Sequence, residues 1–194
     1  MNVLTPSRVI AAGALALAGL SFGVAYASTG GTDATVRATK QACVHGTALL
    51  ERNKENVVGF YTRAFNDKEP EDAVDKYVGF DEPGQDLDGS GEPHLYIQHN
   101  PLAQSGAPAF IAFVNFFTAG PNAPFPNYHV DIRRVVAECD LVVTHAVVTG
   151  AEVIWPIGAK VVDIFRLDEH GKIVEHWDVL SPLSPTSANG NPEV

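Results

Sequence analysis

The clearest pattern in the chain is an alternation of apolar and polar residues from Ala159 to Leu180. Alternation with a period of two is typical of β-strands, and the turn sequence Asp168–Lys172 divides this segment into two strands of a hairpin. Gly171 suits the turn because glycine reaches positive φ angles at little steric cost. In the first strand, the alternation predicts that Asp163 and Phe165 lie on the same face.

Asp163 is therefore the first residue that suggests chemistry. If its face is the interior, the carboxyl group is partly desolvated, and a desolvated acid can act as a general acid or base near neutral pH. The alternative is a strand aspartate that reaches water, because one carboxylate with an interior pattern is a weak functional signal.

Three helices are predicted before the long strands. Apolar residues at spacings of three and four predict a helix that begins around residues 41–47 and runs to about Phe65. Pro70 followed by two acids predicts the start of a second helix. A third segment, 107–118, is apolar on nearly all sides, so it is either covered by other elements or lines an apolar cavity. Phe113 and Phe117 are its candidate wall residues.

Two further segments carry histidines. Residues 127–139 and 141–148 predict a long antiparallel hairpin, in which His145 is either a satisfied core histidine or a base in a pocket. If Asp163 faces a cavity, we expect His145 to face it from the neighbouring strand. A short strand near Tyr96 ends at Pro101. This strand ends in three polar residues, Gln98, His99 and Asn100. Their side chains either form hydrogen bonds with a ligand or have a structural role.

The acidic, glycine-rich segment 79–93 contains a partial calcium-loop motif. Asp86-Leu87-Asp88-Gly89-Ser90-Gly91 matches the first half of such a loop, but Ile97 stands where a bidentate glutamate would close the coordination shell. We therefore interpret the segment as a solvated loop and predict no metal site; a weak calcium site is the alternative.

The N-terminus has the composition of a secretory signal peptide. Arg8 is the only charge before Ser28, an apolar run follows it, and Ala25-Tyr26-Ala27 has the form of a signal peptidase site. A membrane anchor is the alternative, although the run is shorter than the ~20 residues that span a bilayer. The expected organisation is a signal peptide at 1–27, a flexible leader at 28–40, a domain at 41–182 and a C-terminal tail at 183–194.

Charge and cysteine content bear on partners and compartment. The formal net charge of −10 argues against nucleic acid and anionic membranes, both of which bind basic surfaces. Cys43 and Cys139 are the only cysteines. In an exported protein they either form a disulfide or remain two separate buried thiols.

Three segments together resemble SnoaL-like proteins of the nuclear transport factor 2-like superfamily. They are Tyr96-Ile97-Gln98-His99-Asn100-Pro101, Val162-Asp163-Ile164-Phe165-Arg166 and Gly171-Lys172-Ile173-Val174-Glu175-His176-Trp177-Asp178. The resemblance covers roughly residues 53–180. It implies an α+β fold, in which a cone-shaped, curved antiparallel β-sheet wraps around three N-terminal helices. It also implies a homodimer whose pocket takes a small hydrophobic organic ligand.

The resemblance further implies a reaction. SnoaL-like cyclases close rings by intramolecular aldol condensation, with an aspartate of the penultimate strand as acid or base and no metal or cofactor. It assigns that role to Asp163, with His99 and His145 in the same cavity. The residues expected to contact the ligand are Tyr96, Gln98, Asn100, Phe113, Phe117, Phe165 and Trp177. The alternative is a non-catalytic binding module. Were Asp163 to face solvent, the pair His176 and Asp178 on the opposite face would be the candidate site.

Overall fold

The computed structural model describes residues 46–194. The predicted signal peptide, the leader and Cys43 lie outside the described residues, so the disulfide stays a prediction. No helix in the described part is long and apolar enough to cross a bilayer.

Three helices precede the long strands of the described chain, as predicted. Helix α1 spans Thr47–Tyr61 and continues through a wider π-helical turn, Thr62–Asn66; α2 spans Pro70–Tyr77; α3 spans Ala107–Val114 and ends in a second π-helical turn, Asn115–Ala119. Pro70 opens α2 with acids in its first turn, where the missing N–H of proline costs nothing and negative charge is favourable.

The main sheet has five strands. Its long strands are β4 His129–Glu138, β5 Leu141–Thr149, β6 Ala159–Leu167 and β7 Ile173–Pro182, each antiparallel to its neighbour. The short strand β3, Ile97–Gln98, pairs in parallel with β7 and makes the sheet mixed, so the strand order is β3-β7-β6-β5-β4. Strands β1, Gly79–Phe80, and β2, His94–Leu95, form a separate pair. The α+β fold is confirmed, with a parallel edge strand that the sequence did not predict.

The core lies between the helices and one face of the sheet, which we call the inner face. Alternate residues of β6 are buried from Ala159 to Leu167, so the predicted interior position of Asp163 is confirmed. The fully buried Phe60 of α1 stacks on Phe110 of α3 at 4.8 Å between ring centroids. Burial of such a side chain contributes about 2 kcal/mol to the free energy of unfolding.

The acidic loop between β1 and β2 is held by its own carboxylates. Asp88 accepts hydrogen bonds from the backbone N–H groups of Ser90 and Tyr96 at 2.9 and 2.8 Å, and Asp81 accepts from that of Leu87 at 3.1 Å. These carboxylates stabilise local turns, as aspartate side chains commonly do. The ligand atoms of Asp81, Asp86 and Asp88 also lie within 4.8 Å of one another, so the absence of a calcium site stays a prediction.

Candidate active site

A cavity of about 310 Å³ opens between the helices and the inner face of the sheet. Nine Phe, Tyr and Trp side chains line it, and polar side chains gather at one end. Asp163 of β6, His176 and Asp178 of β7 and Gln98 of β3 form this polar end. An apolar cavity with a few convergent polar groups is the usual form of a small-molecule site.

Asp163 is almost completely buried and hydrogen-bonded through both oxygens. Tyr61 Oη of α1 donates to Oδ1 at 2.6 Å, and Thr144 Oγ1 of β5 donates to Oδ2 at 3.0 Å. His176 Nε2 lies 3.2 Å from Oδ1. The carboxylate is thus positioned by three different elements of the fold.

The surroundings of His176 define which ring nitrogen carries a hydrogen. Gln98 Oε1 accepts a hydrogen bond from the backbone N–H of Asn100 at 2.9 Å, so this atom is an acceptor. It lies 3.1 Å from His176 Nδ1, which therefore carries the hydrogen and donates it. The second nitrogen, Nε2, faces Asp163 Oδ1. Tyr61 Oη lies 3.4 Å from the same nitrogen, so the imidazole, the phenol and the carboxylate are within hydrogen-bond distance of one another.

A β-bulge brings His176 and Asp163 to the same face. In the β6–β7 hairpin, Leu167 pairs with Ile173 but Arg166 pairs with Glu175, which leaves Val174 as an extra residue. A bulge shifts the register by one residue, and one residue reverses the face of every later side chain. Beyond the bulge, His176 and Asp178 therefore point inward.

Asp178 supplies a second carboxylate to the cavity. It pairs across the strands with Asp163, and its Oδ2 accepts a hydrogen bond from Asn100 Nδ2 at 2.6 Å. Asp163, His176 and Asp178 each offer a ligand atom within 4.8 Å of the others, which is close enough to hold a metal ion. Both oxygens of Asp163 already accept hydrogen bonds, from Tyr61 and Thr144, so a metal ion there would compete with these bonds.

Buried tyrosine hydroxyls surround these carboxylates. Burial, followed by the charge of Asp163, raises the pKa of Tyr61 well above its usual value, and the same causes raise the pKa of Tyr96. Burial also raises the pKa of Tyr128. All three therefore remain neutral hydroxyl groups near neutral pH. Tyr96 and Tyr128 line the cavity, where a hydroxyl can donate to a ligand oxygen.

The prediction that His145 shares the face of Asp163 is wrong. Thr144, not His145, stands opposite Asp163 across β5 and β6. His145 points to the other, outer face, where its Nδ1 lies 3.1 Å from Arg134 Nη1. The long connection from 150 to 158 leaves the β5–β6 register free, so strand parity alone could not place this side chain.

The expectation that His99 shares the cavity is also wrong. Its Nε2 lies 2.8 Å from Glu175 Oε1, and its ring stacks on Trp177 at 4.6 Å between centroids. Trp177, which we expected to contact the ligand, lies on the outer face with it because of the bulge at Val174. Neither residue lines the cavity.

The other predicted ligand contacts lie at the cavity or beside it. Those that line it are Tyr96, Gln98, Asn100, Phe113 and Phe117. Phe165 is fully buried behind the wall, with its ring stacked on His176 at 4.7 Å. Their contact with a ligand stays a prediction.

Sequence reasoning missed three residues that surround Asp163. Tyr61 belongs to the apolar stripe of α1 and looked like core, and Thr144 is an ordinary strand residue. The sequence pattern grouped His176 with Asp178, but it placed both residues on the face opposite to Asp163. A test of both registers for the β6–β7 hairpin would have found His176, because one of the two places it beside Asp163.

Comparisons with known proteins agree with this geometry. Residues 94–176 match the family model of the SnoaL-like domain. A candidate polyketide cyclase from Acidithiobacillus ferrooxidans superposes with a TM-score of 0.51 at 19% identity, over 67% of this chain and 88% of that one. A candidate SnoaL-like polyketide cyclase from Jannaschia superposes with a TM-score of 0.50 at 22% identity, over 71% and 90%. No curated protein matches the sequence.

The α+β fold is therefore that of nuclear transport factor 2-like proteins, and its cavity has the form of a small-molecule pocket. Within that fold class, the resemblance to SnoaL-like proteins is confirmed by the match of residues 94–176 to the SnoaL-like domain.

Proposed function

We propose that this protein is an exported SnoaL-like enzyme that catalyses aldol-type cyclisation or condensation of a hydrophobic carbonyl compound. The observation that carries the proposal is the 3.2 Å contact between His176 Nε2 and Asp163 Oδ1 at the polar end of a cavity rich in aromatic side chains. A buried acid and base in contact can exchange a proton with a ligand while the surrounding rings exclude water.

The chemistry needs one proton acceptor and one hydroxyl donor. The Asp163 carboxylate, in contact with His176, accepts the proton α to the carbonyl, and the resulting enolate carbon attacks a second carbonyl. The pair then returns the proton to the new alkoxide, so one carbon–carbon bond forms and no proton is lost. Tyr96 or Tyr128 donates a hydrogen bond to the enolate oxygen. Tyr61 holds Asp163 in place.

The alternative is a non-catalytic binding module. One observation favours it: Asp163 already accepts from Tyr61 and Thr144 and contacts His176, which is also what a purely structural polar network would show. Catalysis must be measured to separate the two functions.

The test is hydrogen–deuterium exchange at the carbons next to the carbonyl of 2-tetralone, a bicyclic ketone, followed by NMR. Asp163→Asn keeps the shape of the side chain and removes its charge. We expect exchange to fall by ~10²–10⁴, as loss of a general base does, with little change in melting temperature. The matched control is Glu175→Gln, which alters the His99–Glu175 pair of the outer face and should keep the wild-type rate. Equal exchange in wild type and Asp163→Asn would leave only the binding module.

Export and the disulfide between Cys43 and Cys139 belong to the same proposal. Their support is the signal-like N-terminus and the even cysteine count. A bridge closing so long a loop stabilises by up to about 4 kcal/mol. Mass spectrometry of secreted protein should find a mature chain starting at Ser28 and no free thiol; an intact Met1 would rule out export.

We also propose a homodimer formed through the outer face of the sheet. Val136, Val162 and Val179 lie on this face and are exposed, and a contiguous apolar sheet face is commonly covered by a partner. Light scattering after size exclusion should give twice the chain mass, and Val179→Lys should shift it toward the monomer. A wild-type monomer at micromolar concentration would contradict the dimer.

A further inference from the structure

The charged side chains of the cavity wall are of one sign, negative. Two carboxylates line it, whereas no lysine or arginine does among the residues that the structure describes. The imidazole of the wall, His176, already contacts Asp163 and Gln98, and the tyrosine hydroxyls of the wall are neutral. A ligand that enters this cavity therefore meets negative charge without a fixed positive partner.

Asp178 is the carboxylate that can accept further hydrogen bonds. Its Oδ2 accepts from Asn100 at 2.6 Å, and the described residues give Asp178 no other hydrogen bond or ion pair. In the empty cavity, water can solvate Oδ1. A ligand that displaces this water leaves a carboxylate partly unpaired, which costs free energy unless the ligand brings its own donor or positive charge.

The rings of the wall favour the same kind of ligand. Tyr96, Phe113, Phe117, Tyr128 and Trp155 surround the space in front of Asp178 and Asp163. The face of an aromatic ring attracts a cation, and the attraction grows when water is excluded. A carboxylate or phosphate would be repelled by both acids and would gain nothing from the rings.

We propose that the cavity selects a hydrophobic amine, bound in its protonated form with Asp178 as the counter-ion. The inference rests on the proposed function of the cavity and specifies its substrate class. Because the ligand atoms of Asp163, His176 and Asp178 lie within 4.8 Å of one another, an amine on Asp178 leaves the adjacent carbons beside Asp163 and His176. The substrate class is therefore an α- or β-amino carbonyl compound, whose positive nitrogen also stabilises the neighbouring enolate.

The test compares three probes with one carbon skeleton and no ketone: 2-aminotetralin, 2-tetralol and tetralin-2-carboxylate. Titration calorimetry of the full chain at pH 7 and low salt measures each affinity. We expect the amine to bind about tenfold more tightly than the alcohol, as one partly buried charge pair provides, and the carboxylate to bind most weakly. Asp178→Asn should abolish the difference between amine and alcohol. Glu55→Gln, which removes an exposed charge from α1, should preserve it.

Three outcomes would overturn the inference: equal binding of amine and alcohol, an amine preference that survives in Asp178→Asn, or no binding of any probe. The wild-type comparison decides the matter even if Asp178→Asn fails to fold. Exchange of 2-tetralone is measured separately, so its absence together with a clear amine preference would defeat the proposed catalysis and leave the amine site standing.

Discussion

Each face of the main sheet carries a histidine in contact with a carboxylate, yet the two pairs have opposite surroundings. On the inner face, His176 and Asp163 are 3.2 Å apart, with side chains only 6% and 2% exposed. On the outer face, His99 and Glu175 are closer, at 2.8 Å, but 41% and 17% exposed. By distance alone, the outer pair would have the stronger electrostatic interaction. Water screens its charges, so burial reverses the ranking.

The partners of the two pairs differ as much as their exposure. Asp163 is surrounded by the neutral hydroxyls of Tyr61 and Thr144, which position it without neutralising it. Glu175 also bonds Arg166, at 2.8 Å from Nε, which does neutralise it. A carboxylate held by hydroxyls in an aromatic cavity can still take a proton from a ligand. One that is paired with arginine at the surface serves structure instead.

The first prediction tests this comparison by truncating the carboxylate of each pair to alanine. Asp163→Ala leaves Tyr61, Thr144 and His176 without their buried acceptor, so we expect the free energy of unfolding to fall by about 3–5 kcal/mol. Glu175→Ala removes the partly exposed pair and should cost about 1 kcal/mol or less. Urea denaturation of both variants measures the difference. Losses of equal size would mean that burial does not separate the two faces.

How far the sequence predicted this site depends on which contacts are local. Period-two alternation placed Asp163 on the buried face correctly, and helix spacing placed α1, α2 and α3, because these patterns lie within single elements. His145, His99 and Trp177 were assigned to the wrong face because their facing depends on pairing between strands. That pairing was shifted by the extra residue Val174 and by the free register across 150–158. Neither feature leaves a periodic signal.

The second prediction concerns the pH dependence of stability that the buried tyrosines of the inner face should cause. Burial raises the pKa of Tyr61 and of Tyr96 above the value in the unfolded chain. Their stabilising contribution is therefore fully present below pH about 10 and is lost as the pH rises toward the folded pKa, by about 1.4 kcal/mol per pH unit for each tyrosine. Tyr61→Phe should make the loss of melting temperature above pH 10 less steep, and adding Tyr96→Phe should reduce it further. An unchanged alkaline slope in both variants would contradict the assignment.

The smallest expected effect belongs to the outer face. Arg166 Nη1 binds Asp140 Oδ2 at 2.7 Å, and both side chains are more than a third exposed. Asp140→Asn should therefore lower the free energy of unfolding by no more than about 1 kcal/mol at low salt. The loss should shrink toward zero in 1 M NaCl, where charges are screened within about 3 Å. The cost of Asp163→Ala should persist in the same salt, because ions do not reach the buried pair. Denaturation of both variants at two salt concentrations makes the comparison. A salt-independent loss for Asp140→Asn would show that this outer ion pair is shielded from solvent as well.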